Sequence, residues 1–474
     1  MGVKKNFGYN LILTFCNYLF PLITYPYISR VLGVELIGTC SFVDSIVNYF
    51  ILFSTLGVGS YGVREISRCG DDRERRNAVF SSLVTLNALF SILAVAVLVI
   101  CTFTLPQLAE YKEFLGIGII KLIFNLFLIE WFFQGIEQFK YITIRSVIIR
   151  AVYVMAILLF VKSKEDVYLY YGMTSAIVVI NSIINWNYSR KFRSFSLKSV
   201  DLRLFIAPVI TFGYYRLLTS MYTTFNTTFL GFSSGDVEVG YFSTATKLYS
   251  IIMGVFSAFT TVMVPRVSSM LAKKDFDGVQ KVADKTFEVL YLVGVPIIIF
   301  CQFFAPQIIY LIAGNGFEGA ITPFRIVIFL LLIIGMEQIV IQQFLMASNS
   351  KSSIVYVSTV GAVTGILLNF LITPRIGAIG SAISWCISEV MVLAVGIALM
   401  TKHLSVAINW RHLLKIAAGG AVYAALAAIL YMTLSPWVAM AASMAVMAAA
   451  FIFLSVKIHK SAVVTDMLSK FLKR

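Results

Sequence analysis

The chain has 474 residues, of which 59% are apolar and only 13% charged, a balance outside that of soluble globular domains. Its apolar residues fall in runs of about 20, the length that crosses roughly 30 Å of hydrocarbon, and the short alternating segments of a β-barrel are missing. A net charge of +15 would suit a nucleic-acid binder, but the basic residues gather in short segments between the apolar runs, where they set membrane orientation.

Spans are predicted at about 9–31, 37–60, 78–102, 114–134, 142–161, 167–188, 205–230, 239–264, 288–312, 321–346, 354–373, 378–400, 414–434 and 437–457. Lys4 and Lys5 precede a full-length span with no small-residue cleavage site, so the first span reads as a retained helix and not a signal peptide. That span carries a polar stripe of Asn10, Thr14, Asn17, Pro21 and Thr24, and the second carries Ser41, Asp44, Asn48 and Thr55. Lys121 falls near the outer end of the fourth span, where snorkelling to the interface is expected, and Glu130 lies in its cytoplasmic part. Arg145 and Arg150 lie on the fifth. On the seventh, Arg216, Thr219, Thr223 and Asn226 share a helical face, and on the eighth Ser243, Lys247, Ser250, Gly254, Ser257 and Thr261 do the same. Glu337 and Glu389 fall in the tenth and twelfth spans. Connecting segments are short, with no room for a soluble catalytic domain. The six cysteines show neither metal-site nor disulfide spacing and read as small buried hydrophobes.

Of the 38 Lys and Arg residues, 27 lie on the side of the N-terminus, of the segments 64–76, 190–203, 266–285, 402–415 and 457–474, and of Lys140 and Lys351. Six lie opposite, so both termini are expected in the cytoplasm, in agreement with an even span count. The halves resemble each other: spans 1 and 2 match spans 7 and 8 in their stripes, Glu35–Gly38–Ser41 echoes Glu238–Gly240–Ser243, and Glu130 and Glu337 occupy like positions. The fold expected is therefore an all-α polytopic membrane protein of 14 transmembrane helices. Two pseudo-symmetric six-helix bundles, 1–203 and 204–401, surround a central cavity, and 402–474 holds an accessory helix pair and a cytoplasmic tail.

Nine ionisable groups sit at membrane depth: Lys121, Arg145, Arg150, Arg216, Lys247, Asp44, Glu130, Glu337 and Glu389. A cation near the bilayer centre costs roughly 2.5–3.5 kcal/mol on insertion scales, so the stripes bearing Arg216 and Lys247 are expected to face protein or water. They are read as lining a wet, cationic cavity in a transporter. An ion pair of either cation with Asp44 is the plainer alternative.

Three stretches resemble one family. They are Pro21-Leu-Ile-Thr-Tyr-Pro26-Tyr-Ile-Ser-Arg30-Val-Leu-Gly33 with Gly38 and Leu56-Gly57-Val-Gly59-Ser-Tyr-Gly62-Val-Arg64-Glu65; Glu130-Trp-Phe-Phe-Gln134-Gly135-Ile-Glu137, ending at Arg150; and Asn369-Phe-Leu-Ile-Thr-Pro374-Arg-Ile-Gly377-Ala-Ile-Gly380-Ser-Ala-Ile-Ser384, ending at Ser388-Glu389. Together they resemble the polysaccharide repeat-unit flippases of O-antigen, capsule or exopolysaccharide pathways, in the multidrug/oligosaccharidyl-lipid/polysaccharide exporter superfamily. The resemblance implies a cavity lined mainly by spans 1, 2, 7 and 8 and alternating access in a bacterial inner membrane. The cargo it implies is an undecaprenyl-pyrophosphate-linked oligosaccharide, delivered to the outer leaflet, with a polymerase and glycosyltransferases of the same pathway as partners.

For such a cargo Arg suits the pyrophosphate because its planar fork donates two charge-assisted hydrogen bonds. Arg216 and Lys247 are the first choices, then Arg150 and Arg145. Asn10, Asn17, Asn48, Tyr215 and Asn226 are the expected sugar contacts. No Walker loop occurs, so a proton or sodium gradient is the simplest drive and no cofactor is expected. A carboxylate at membrane depth would carry the ion: Asp44 first, then Glu130, Glu337 and Glu389. A multidrug extruder of the same fold would favour an acid-dominated cavity, and a lipid II flippase would share the cationic one. A membrane glycan polymerase or ligase would need a long outer loop bearing Arg or His. His403, His412 and His459 all fall on the cytoplasmic side, so an enzyme is not expected.

Overall fold

The computed structural model describes residues 3–345, 351–404, 407–459, 461 and 464–465, and among these all regular structure is helical. In chain order the helices are α1 (Val3–Thr55), α2 (Val58–Cys69), α3 (Arg73–Thr104), α4 (Pro106–Ala109), α5 (Lys112–Asn125), α6 (Glu130–Gly135), α7 (Phe139–Phe160), α8 (Val167–Ser189) and α9 (Leu202–Ser234). There follow α10 (Asp236–Ala272), α11 (Phe276–Ile312), α12 (Ile321–Val327), α13 (Leu330–Glu337), a π-helix Gln338–Leu345, α14 (Lys351–Leu404), α15 (Trp410–Thr433) and α16 (Pro436–Phe453).

Among the described residues ten helices are long and apolar enough to cross a membrane, or eleven if the bent pair Leu202–Tyr214 and Arg216–Ser234 forms one span. Two of them, Gly8–Cys69 and Ser353–Lys402, are 62 and 50 residues long. At about 1.5 Å per residue either far exceeds a hydrocarbon thickness of roughly 30 Å, and each contains two predicted spans. The breaks lie where the backbone leaves helical geometry, at Gly33 in α1 and at Ile376–Gly377 in α14. The chain is thus an all-helical polytopic membrane protein. Apolar residues left exposed on α3, such as Leu89, Ile92, Leu93 and Ile100, recur at helical spacing and form a lipid-facing surface.

By internal contact the chain divides into two compact units, Met1–Ser243 with Gly365–Gly377, and Thr244–Thr364 with Ala378–Arg474. In the first, a core of aromatic residues gathers around Phe80, Trp131, Phe132 and Phe133. Arg193, in the segment after α8, lies with its guanidinium carbon 4.2 Å from the Phe80 ring centre and 4.1 Å from that of Trp186. That burial pushes its guanidinium down to about 10. In the second unit, α15 and α16 pack on each other and on α11 around Phe304, Tyr423, Ala427 and Met447.

The sequence echo between the two halves has a direct structural counterpart in the first unit. Gly33 (φ 78°, ψ 175°) and Gly235 (φ 83°, ψ 178°) adopt the same positive-φ turn, which a side chain would strain. Five residues beyond each turn comes a second glycine, Gly38 or Gly240. A Cβ on Gly38 would strike the carbonyl oxygen of Asp236, and one on Gly240 would strike that of Val34. The two helix starts therefore cross reciprocally, backbone against backbone. Beside the crossing, the Asp236 carboxylate accepts hydrogen bonds from Thr39 Oγ1 and from Tyr111 Oη (2.9 Å). Burial pushes that carboxyl, which lies in the turn before the eighth span, above its ordinary range, and the two hydrogen bonds pull it partly back.

Gly38→Val and Gly240→Val should each lower stability by about 1–3 kcal/mol, the usual cost of overpacking a filled contact. Gly172→Ala, inside α8 where a Cβ meets nothing within 4 Å, should not lower it. Thermal unfolding of the purified protein in detergent reads both.

Candidate functional site

The fourth predicted span of each half is interrupted. In the first half α5 ends at Asn125 and α6 begins at Glu130, with Ile129 held in the left-handed region (φ 32°, ψ 34°). Carbonyls freed by such a break need partners in hydrocarbon. Ser182 Oγ donates to Phe124 O at 2.7 Å, and Asn185 Nδ2 donates to Leu128 O, both from α8. The break places Glu130 in the first turn of α6, where its carboxylate meets Arg145 Nη2 of α7 at 2.5 Å. The Arg145 side chain is only 4% exposed and also donates to Asn185 Oδ1. In the second half the corresponding span is divided into α12, α13 and the π-helix that starts directly after Glu337.

Asp44, the leading candidate for ion coupling, accepts from Lys121 Nζ at 2.5 Å and from Asn48 Nδ2 at 3.2 Å. The expectation that Lys121 snorkels is corrected: its side chain is 14% exposed and turned to Asp44, because a carboxylate at that depth offers it a better partner than the interface. Asp44 is accordingly paired with Lys121, and not with Arg216 or Lys247. Arg150 of α7 donates from Nη1 to Asn17 Oδ1 of α1, so a predicted pyrophosphate contact and a predicted sugar contact do meet. Asn10, Asn17 and Asn48 are exposed.

Arg216 is exposed on α9, and its Nη1 lies 3.6 Å from where a Cβ on Gly59 would stand. Lys247 is half-buried on α10. The side chain of Tyr215 lies outside the described residues. Asn226 is fully buried: it donates to Tyr222 O (2.9 Å) and accepts from Asn369 Nδ2 (2.6 Å), and Asn369 Oδ1 in turn accepts from Thr373 Oγ1 (2.9 Å). Glu337 and Glu389 lie in hydrogen-bond contact with each other, and Glu389 Oε1 accepts from Trp385 Nε1 at 2.8 Å. Sequence reasoning missed Asn185, Asn369 and Thr373 as partners. The four-residue spacing of Asn369 and Thr373 on one helix was the available signal.

Removing one member of the Arg145–Glu130 pair strands a charge. Glu130→Ala should therefore cost about 3 kcal/mol, the low end for a broken buried pair because Glu130 keeps 36% exposure. The Glu130→Ala/Arg145→Met double variant should recover much of that loss in a thermal-unfolding cycle, and strictly additive losses would contradict the pairing.

The geometry agrees with what comparison with known proteins finds. The model of the polysaccharide biosynthesis protein family matches residues 3–271, and that of the MatE family matches residues 214–371. The chain is 23% identical over 398 residues to the "Putative O-antigen transporter" of Escherichia coli strain K12, covering 83% of this chain and 95% of that one. The protein of the same name from Shigella dysenteriae is 24% identical, covering 82% and 98%. Among solved structures, the lipid II flippase MurJ in an inward closed conformation superposes with a TM-score of 0.80 at 13% identity, over 96% of this chain and 99% of that one. An inward-facing multidrug resistance MATE transporter gives 0.62 at 15% identity, over 82% and 94%. The chain belongs to the polysaccharide biosynthesis protein family, and its fold is that of the lipid II flippase and multidrug MATE transporters it superposes on.

Proposed function

We propose that this protein is a flippase that moves an undecaprenyl-pyrophosphate-linked oligosaccharide repeat unit from the cytoplasmic to the outer leaflet of a bacterial inner membrane, by alternating access. Both termini lie in the cytoplasm, a proton or sodium gradient supplies the drive, and glycosyltransferases and a polymerase of the same glycan pathway work before and after it. The observation that carries this reading is Arg216. It stands exposed at membrane depth, and among the described residues it forms no ion pair. A lone cation there is tolerable only if it meets water or an anion. A diphosphate supplies the anion, and the guanidinium fork holds it with paired hydrogen bonds.

Lys247 adds a second positive charge on the next helix, and Arg150 with Asn17 offers a further guanidinium beside an exposed amide. Arg145 plays a different part. Its carboxylate, amide and Ser146 hydroxyl partners engage both terminal nitrogens, so it acts mainly to hold α6 and α7 in place. The exposed amides of Asn10, Asn17 and Asn48 suit sugar hydroxyls, whereas Asn226 offers no surface in this conformation.

Arg216→Ala, Lys247→Ala and the double variant should lower surface-glycan export at least tenfold in a strain lacking its own flippase, with unchanged protein in the membrane fraction. Arg216→Lys should retain part of the export, since it keeps charge and loses the fork. Wild-type glycan levels in the double variant would exclude the pyrophosphate contact.

A further inference from the structure

The four acids at membrane depth divide into two kinds. Asp44 has Lys121 and Glu130 has Arg145, each at 2.5 Å. Glu337 and Glu389 have no cation: among the described residues neither forms an ion pair, and each has only the other, with Trp385 Nε1 donating to Glu389. Two carboxylates cannot touch without a proton between them, because like charges at that distance in a weakly polarisable medium repel too strongly. Glu389 is 2% exposed, and Oε2 of both residues is enclosed with no partner. Among the described residues no donor reaches either Oε2, so a proton is what the pair lacks.

The titratable side chains described beside the pair are two tyrosines and a cysteine, none of them a basic residue. Tyr249 of α10 packs its ring edge-on to Trp385, Tyr291 of α11 donates to Met336 Sδ, and Cys386 neighbours Glu389 on α14. The pair also has a mechanical connection. The π-helix begins at the residue after Glu337, and its wide turn is a common local feature of functional sites. Its first residue, Gln338, donates to Ser257 Oγ (2.9 Å) and accepts from Thr260 Oγ1 (2.9 Å), both on α10, the helix that carries Lys247. A change of charge at Glu337 thus reaches α10 through one side chain.

We propose that Glu337 and Glu389 form a one-proton binding site, and that this pair, in place of Asp44 or Glu130, is where the transport cycle takes up and releases its proton. The second half of this statement rests on the reading of the chain as a gradient-driven flippase. Loading places one proton between two carboxylate oxygens. Release leaves two adjacent negative charges and forces α13 and α14 apart, which pulls on Gln338 and so on α10.

Infrared spectroscopy of the purified protein in lipid tests the shared proton without any transport assay. The carbonyl band of protonated carboxyl groups should lose the intensity of one group per chain in the Glu337→Gln/Glu389→Gln variant and keep it in Asp44→Asn. Equal bands in wild type and the double variant would overturn the site. Each single Gln variant can still donate to its remaining partner and so preserve packing. With the shared proton established, Glu389→Gln should cut glycan export at least tenfold with the protein at wild-type level in the membrane. Export at the wild-type rate would overturn the coupling role while leaving the flippase reading intact, since that reading is tested at Arg216.

Discussion

Hydrocarbon does not solvate charge, and this single fact orders the interior of the chain. Each ionisable group placed at membrane depth must be matched, neutralised or hydrated. Lys121 with Asp44 and Arg145 with Glu130 are matched by opposite charge, and Arg150 finds an amide. Glu337 and Glu389 are matched only by each other. Arg216 is left over. Groups locked in pairs hold helices together, and among the described residues Arg216, Glu337 and Glu389 form no ion pair.

The same constraint governs the backbone. A helix can be broken in lipid only where neighbouring side chains accept or donate in place of the lost ladder. Ser182 and Asn185 do this for the carbonyls of Phe124 and Leu128. Asn185 in addition holds Arg145, so one residue both repairs the break and orients the ion pair that the break exposes. Irregular backbone and buried charge are one construction here, repeated in looser form where the π-helix follows Glu337.

Much of this was legible in the amino-acid sequence because membrane depth writes strong signals. Long apolar runs mark the helices, and the matched spacing of Gly38 and Gly240 marks the two helix starts that cross. Pairing was less legible. Lys121 and Asp44 are 77 residues apart, and nothing local tells a lysine near a span end to turn inward. The interruption at Ile129 was equally hidden, because a β-branched residue in left-handed geometry carries no Gly or Pro signature. Asn226 read as cavity-lining from its helical face, but an amide that meets Asn369 on another helix is used up in packing. Periodicity gives the face of a helix and not what stands opposite it.

Where Gly38 lies on the backbone of Asp236 and Gly240 on that of Val34, neither glycine leaves room for a side chain of its own. Either helix can approach the other this closely only because both contact points are bare, and the hydrogen bonds of Thr39 and Tyr111 to Asp236 tie the same place from the side. The crossing therefore fixes the spacing of the two helix starts to backbone contact, a clamp that any residue larger than glycine would force open.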